Sequence, residues 1–146
     1  MEYRAMTIAD YDQVYALWMS CKNMGFNDVD DSRTGIARLL DRNPGLSFVA
    51  MDGGRLAGVI LSGHDGRRGY IYHMSVREDC RRQGIGARLT EKCLEKMKRE
   101  GISKAALLVF RYNDPGNAFW ESQVFTARED VFYRNRALRQ LIRLDT

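Results

Sequence analysis

The residues from Tyr70 to Leu89, Y-I-Y-H-M-S-V-R-E-D-C-R-R-Q-G-I-G-A-R-L, join a strand-like run to a helix through a turn rich in arginine and glycine. Such a turn can hold an anion. Gly84 and Gly86 clear side chains from the successive backbone N–H groups, and the positive end of the following helix dipole adds to their pull. Arg81 and Arg82 place mobile positive charge beside them. The implied chemistry is the binding of a phosphorylated cofactor. A dinucleotide fingerprint does not fit, because Leu89 stands where a third glycine would pack helix on strand and no acid closes the next strand. A P-loop does not fit either, since its Lys-Ser/Thr pair is absent. Two glycines can also merely start a helix after a loop. The order strand, basic turn, amphipathic helix favours the phosphate.

Quoted from Val76 to Leu89, this block resembles the acetyl-CoA signature R/Q-x-x-G-x-G/A of the GNAT superfamily of N-acetyltransferases, with Arg81, Gly84 and Gly86 at its fixed positions. A second block, Asn113 followed by Trp120 to Phe125, is similar to the family stretch N-x-x-A-x-x-x-Y-x-x-x-G-F, with Gly116, Trp120 and Val124 in place of Ala, Tyr and Gly. The resemblance implies acetyl-CoA as cofactor. It assigns the pyrophosphate to the backbone of Arg81, Arg82, Gln83, Gly84, Ile85, Gly86 and Ala87, and the pantetheine arm to the strand Met74, Ser75, Val76. Asn113 and Trp120 join the cofactor site on the same ground, with Trp120 packing beside the pantetheine. The implied fold is α/β, a twisted mixed sheet flanked by helices on both sides, and the implied organisation is one acetyltransferase domain over residues 1–146.

The acyl transfer needs a neutral amine, a donor for the developing oxyanion and a proton or other support for the leaving thiolate. Direct attack in a ternary complex needs no enzyme nucleophile, and alignment of the two reactants removes much of the entropic barrier. By resemblance the oxyanion donor is a backbone N–H in the Met74–Val76 strand. The sequence departs from the family at the proton-transfer positions. Trp120 stands at the usual general-acid tyrosine, and an indole N–H cannot take over that role. Tyr70 and Tyr72, on one strand face, stand where a glutamate base is common, and Leu108 occupies the position of a glutamate in members that acetylate ribosomal-protein N-termini. Tyr72 is therefore the catalytic candidate, for orienting a water relay or acting on the thiolate; a tyrosine packed in the sheet is the other reading. Strand alternation sends His73 to the opposite face, against a helix.

The composition agrees with a single globular domain. A chain of 146 residues can bury a substantial core, and 45% hydrophobic with 29% charged residues is ordinary for a folded protein. No apolar run approaches the ~20 residues of a membrane span, and no signal segment opens the chain. Three cysteines, Cys21, Cys80 and Cys93, without C-x-x-C spacing point to a reduced, cytoplasmic setting with neither a disulfide framework nor a metal site. Cys80 beside two arginines could be reactive, but no His/Asp arrangement supports a nucleophile. Residues 1–60 hold six Lys/Arg against eight Asp/Glu, so the remainder carries +6 against a total of +4. The basic part contains the proposed cofactor turn, and its charges alternate with acids as on a solvated helix face, so nucleic acid is not an expected partner.

The elements follow from periodicity. Tyr3–Ile8 reads as a strand, with Thr7 and Asp10 capping a helix that runs to about Ser20 and carries Val14, Leu17 and Trp18. The acidic loop Asn27–Asp31 leads from Ser32 into a helix ended by Pro44-Gly45. Phe48–Met51 and Leu56–Leu61 flank the hairpin signal D52-G-G54. Tyr70–Val76 is the next strand. Ile85, Leu89, Cys93 and Met97 mark a helix stopped by Gly101, and Ala105–Phe110 reads as an interior strand covered on both faces, parallel to Tyr70–Val76. A short helix at Asn117–Gln123 and a terminal hairpin over Phe125–Leu138, broken near Glu129-Asp130, complete the reading. By resemblance the loop between the first two helices lines the acceptor site, where Asp28, Asp30 and Asp31 could attract a cationic amine; the charge of a helix N-terminus explains the same acids without a ligand. Trp18, Phe26 and Arg33 could shape that pocket. The expected partner is a small-molecule amine, with no nucleic acid and no membrane, and a homodimer is in keeping with the family. Acetylation of a protein N-terminus or lysine is the enzyme alternative, and a non-catalytic acyl-CoA-binding module is the other.

Overall fold

The computed structural model describes residues 1–144. Among these residues five strands form one sheet in the order β1-β2-β3-β4-β5. The strands are β1 (Glu2–Ala5), β2 (Phe48–Asp52), β3 (Arg55–His64), β4 (Gly69–Val76) and β5 (Ala105–Leu107). The first four are antiparallel neighbours, and β5 pairs parallel to β4. The helices are α1 (Tyr11–Ser20), α2 (Arg33–Arg42), α3 (Ile85–Arg99) and α4 (Asp114–Ser122). Among the described residues no helix is long and apolar enough to cross a membrane.

The apolar stripes seat the helices on opposite faces of the sheet. Val14, Leu17 and Trp18 of α1 and Ile36 of α2 pack with Phe26 onto Val49, Val59 and Leu61. On the other face Ile85, Leu89 and Cys93 of α3, with Trp120 of α4, pack onto Ala50, Ala57, Ile60 and Ile71. Each leucine or isoleucine so buried contributes roughly 1.5–3 kcal/mol relative to exposure. Ser32 caps α2, its hydroxyl accepting from the Gly35 N–H at 3.0 Å.

Three expectations are corrected. β1 ends at Ala5 rather than Ile8, because Ile8–Asp10 forms a 3-10 turn in which the Asp10 carboxylate accepts the Thr7 N–H at 2.9 Å. Ala105–Phe110 is not an interior strand. β5 spans only Ala105–Leu107 at the sheet edge, and the next residue, Leu108, is 60% exposed. Its apolar run is that of an edge segment with helices near one part of it. The terminal hairpin over Phe125–Leu138 is not formed: residues 126–142 hold no strand, and Phe132 and Leu138 are exposed. Residues 142–144 pair instead with the loop before α2, where the Asp28 N–H donates to the Ile142 carbonyl and the Leu144 N–H to that of Phe26, both at 3.0 Å.

Candidate active site

The parallel pairing of β4 with β5 lasts for three residue pairs and ends at Ile71 opposite Leu107. β4 nevertheless runs on to Val76. Along Tyr72–Val76 the β5 side of β4 therefore faces an opening rather than a strand among the described residues, and backbone N–H and C=O groups there are available to an extended ligand. β4 also carries an extra residue at this point. Val59 pairs with Ser75 and Leu61 with Tyr72, so two steps on β3 answer three on β4. His73 takes the strain, at φ +37.

The bulge overturns the simple alternation expected of this strand. Tyr72 and His73 both turn toward the α1 side, while Met74 joins Ile71 in the α3 cluster. His73 stacks edge-on against Trp18 with centroids 5.2 Å apart, and its Nε2 lies 2.7 Å from Asp31 Oδ1. The expectation of a helix beside His73 stands; that of opposite faces for Tyr72 and His73 does not. Tyr72 stacks on Tyr70 at 6.1 Å and is 45% exposed. Partial burial pushes its hydroxyl above the ordinary tyrosine range, helped by Tyr70, Tyr133 and Asp30 nearby, so it is a neutral phenol at physiological pH.

At the end of β4 the glycine turn opens α3. Arg82 and Gly84 take left-handed backbone at φ +63 and +79. Among the described residues no side chain caps the helix at Gly84, which leaves its first N–H groups without protein side-chain acceptors there. A Cβ at Gly84 would meet nothing within 4 Å. Gly86 serves another purpose. A Cβ there would stand 3.2 Å from the Phe119 ring and 3.3 Å from Met74 Cε, so its bareness lets α3, β4 and α4 approach. A groove of about 650 Å³ starts at Gly84 and Ala87 and runs along α3 past Arg88, Glu91 and Lys98 to Gln123 beyond α4.

The other expected residues take varied positions. The Arg81 guanidinium donates to the Val76 carbonyl at 3.1 Å, tying the turn back to β4. Gln83 is exposed, and the Ile85 side chain is core, leaving its N–H as the part that can face a ligand. Ser75 is buried, and its hydroxyl has no hydrogen-bond partner among the described residues. Asn113 caps α4, its side-chain oxygen accepting the Gly116 N–H at 3.0 Å. Trp120 is 9% exposed and held edge-on between Phe119 at 4.9 Å and Phe125 at 5.3 Å. The structure thus packs Met74 against Gly86, sets Gly84 and Ala87 at the groove along α3, and makes Asn113 and Trp120 supports of α4.

Sequence reasoning missed the tie between His73 and Asp31. Of the loop acids, Asp31 is 5% exposed and holds both His73 and the Asn27 N–H, the latter at 2.8 Å. Asp28 accepts from the Ile142 N–H and Asp30 from the Asn27 side-chain amide, both neutral donors. Trp18 and Phe26 are fully buried, and Arg33 pairs with Asp12 over the Tyr11 ring. The chain carries a carboxylate to β4 after all, but from the loop and by way of a histidine. No local pattern announces a contact over 42 positions.

Comparisons with known proteins identify the family to which this chain belongs. The model of the acetyltransferase (GNAT) family matches residues 11–125. An acetyltransferase of Sodalis glossinidius is 30% identical over 138 residues, covering 94% of this chain and 96% of that protein. Two solved structures share the fold. A ribosomal-protein-alanine N-acetyltransferase from Brucella melitensis superposes with a TM-score of 0.69 at 21% identity, covering 94% of this chain and all of the other (100%). An aminoglycoside acetyltransferase from an uncultured soil metagenomic sample, solved with sisomicin, does so with a TM-score of 0.72 at 22% identity, covering 94% and 96%. The chain belongs to the acetyltransferase (GNAT) family. It is an acyl-CoA-dependent N-acetyltransferase, and acetyl-CoA is its cosubstrate.

Proposed function

We propose that the enzyme moves the acetyl group directly from acetyl-CoA to the neutral amine of a small molecule, both bound at once. The observation that carries this reading is the end of the β4–β5 pairing at Ile71, beyond which Met74 of β4 packs against Gly86 in the uncapped first turn of α3. Bound there, acetyl-CoA supplies an acyl group already activated as a thioester. The N–H groups of Gln83–Ala87 would hold the pyrophosphate, with Arg81 and Arg82 beside it. The backbone of Met74–Val76 would hold the pantetheine arm, and one of its N–H groups would stabilise the oxyanion. Positioning by these fixed groups does most of the catalytic work.

The acceptor side supports a small molecule. The α1–α2 loop is tied to residues 142–144, since Asp28 and Phe26 are bonded to Ile142 and Leu144. Asp28 and Asp30 are exposed, and among the described residues they accept from neutral donors, which leaves their charge to attract an ammonium group. Tyr72, a neutral phenol that feels the charge of Asp30, would donate a proton to the leaving thiolate. The aminoglycoside acetyltransferase of like fold acts on such an amine, whereas Leu108 replaces the glutamate that the resemblance associates with ribosomal-protein acetylation.

Initial rates with acetyl-CoA and a panel of aminoglycosides, polyamines, amino acids and N-terminal peptides, with product masses, test the reading. It predicts acetylated small amines and intersecting double-reciprocal lines. Acetylation confined to peptides would overturn the substrate class, and parallel lines would overturn direct transfer.

A further inference from the structure

We propose that His73 and Asp31 are a positioning pair that sets the β4 backbone against the acetyl thioester and couples it to the acceptor-side loop. The inference rests on the reading above that β4 beyond Ile71 receives the acyl group. The bulge is what turns that stretch of backbone. A one-residue insertion re-aims a strand and recurs beside functional sites. Here its pivot is a non-glycine residue at φ +37, a conformation that persists only where the surroundings enforce it.

The surroundings do so through the side chain. His73 Nε2 lies 2.7 Å from Asp31 Oδ1, and the other Asp31 oxygen accepts the Asn27 N–H at 2.8 Å. The Asp31 carbonyl accepts the Tyr11 hydroxyl at 2.7 Å, which fixes the loop to α1. Trp18 and Phe26 hold the imidazole edge-on at 5.2 and 6.3 Å. The two side chains are 15% and 6% exposed. A pair this buried is a poor source of stability compared with apolar packing of the same volume, but it fixes orientation strongly. Asp31 also adjoins Asp30, so a ligand that pulls on the acceptor loop moves the support of the bulge. His73 is thus joined to both substrates while acting through the backbone rather than on the reacting atoms.

The test compares acetyl-CoA with CoA, which differ only in the acetyl group. Calorimetry is run on the wild type, on His73→Asn and on His73→Gln, with melting curves. Asparagine accepts positive φ but is too short to reach Asp31; the glutamine amide nitrogen lies as many bonds from Cα as Nε2 does. For His73→Asn we expect CoA affinity within about twofold of wild type and acetyl-CoA affinity lower by about three- to tenfold, the worth of one carbonyl hydrogen bond. We expect kcat to fall while the acetyl-CoA-to-CoA affinity ratio is largely restored in His73→Gln. Equal losses of both ligands, or no rescue by glutamine, would overturn the pair while leaving the cofactor site standing. Binding of neither ligand by the wild type would overturn the cofactor site itself and the pair with it. Should His73→Asn not fold, Asp31→Asn, which keeps an acceptor for Asn27, gives the same comparison.

Discussion

Gly84→Asp is the sharpest single change the turn allows. At φ +79 a side chain has open space, with nothing within 4 Å of its Cβ. Aspartate is among the residues that tolerate this conformation, at a cost of about 1 kcal/mol relative to glycine. Its carboxylate would sit at the N-terminus of the fifteen-residue α3, where a negative charge returns roughly 0.3–1 kcal/mol. The fold should therefore hold, with a melting shift of no more than about 5 °C. A pyrophosphate on the same N–H groups would lie ~5 Å from that carboxylate with about two negative charges, a repulsion of about 2 to 7 kcal/mol for effective dielectric constants between 80 and 20. The turn is exposed, so the lower part of that range applies, and ~2–3 kcal/mol is about 30- to 150-fold in affinity. Gly84→Asn has nearly the same shape without the charge and should bind at least tenfold more tightly than Gly84→Asp, with the gap shrinking in salt. Titration calorimetry with acetyl-CoA reads all three proteins. Gly84→Asp binding within about threefold of wild type would refute the placement of the pyrophosphate. Gly86 is a poorer probe, because any side chain there strikes Phe119 and Met74 and disturbs packing together with binding.

Other perturbations test other parts of the structure. Tyr72→Phe should lower kcat by about 10- to 100-fold with the acetyl-CoA dissociation constant unchanged, and the wild-type rate should fall only at pH above the ordinary tyrosine value, because burial raises this phenol; unchanged kcat would return Tyr72 to a packing role. Arg4, donating to both Asp10 oxygens at 2.8 and 2.9 Å, holds that carboxyl below its ordinary value with help from the Thr7 N–H. A depressed carboxyl stabilises the fold above its unfolded value and ceases to as pH falls through the folded one. Asp10→Asn should thus cost roughly 1–3 kcal/mol at pH 7, with the gap to wild type closing below about pH 4 in acid unfolding curves. Burial pushes the Cys93 thiol up to about 12. Alkylation of the native protein at pH 8, followed by peptide mapping, should modify the half-buried Cys21 first and reach Cys93 only with unfolding.

What the sequence discloses here is what depends on neighbours along the chain. The fourfold spacing of Ile85, Leu89, Cys93 and Met97 places α3 because helix faces repeat locally, and all four residues are buried. The hairpin at Asp52–Gly54 and the cap at Ser32 are equally local. The glycine turn was legible for the same reason, its donors and its dipole belonging to one short segment. The bulge at His73 was not: H-M-S continues the alternating pattern of Tyr70–Tyr72, and the residue that inserts the kink is chosen by Asp31 from a distant loop. The bond from the Arg81 guanidinium to the Val76 carbonyl was not legible either, because it is set by how the chain folds back. The run from Ala105 to Phe110 is apolar enough for a central strand, and apolarity alone cannot tell a central strand from an edge beside an opening.

Amide hydrogen exchange with and without acetyl-CoA bears most directly on the site, because the assignment is to backbone N–H groups. Slowed exchange concentrated in Met74–Val76 and Gln83–Ala87 is the predicted result, and protection confined to any other surface, with these two segments unchanged, would contradict it.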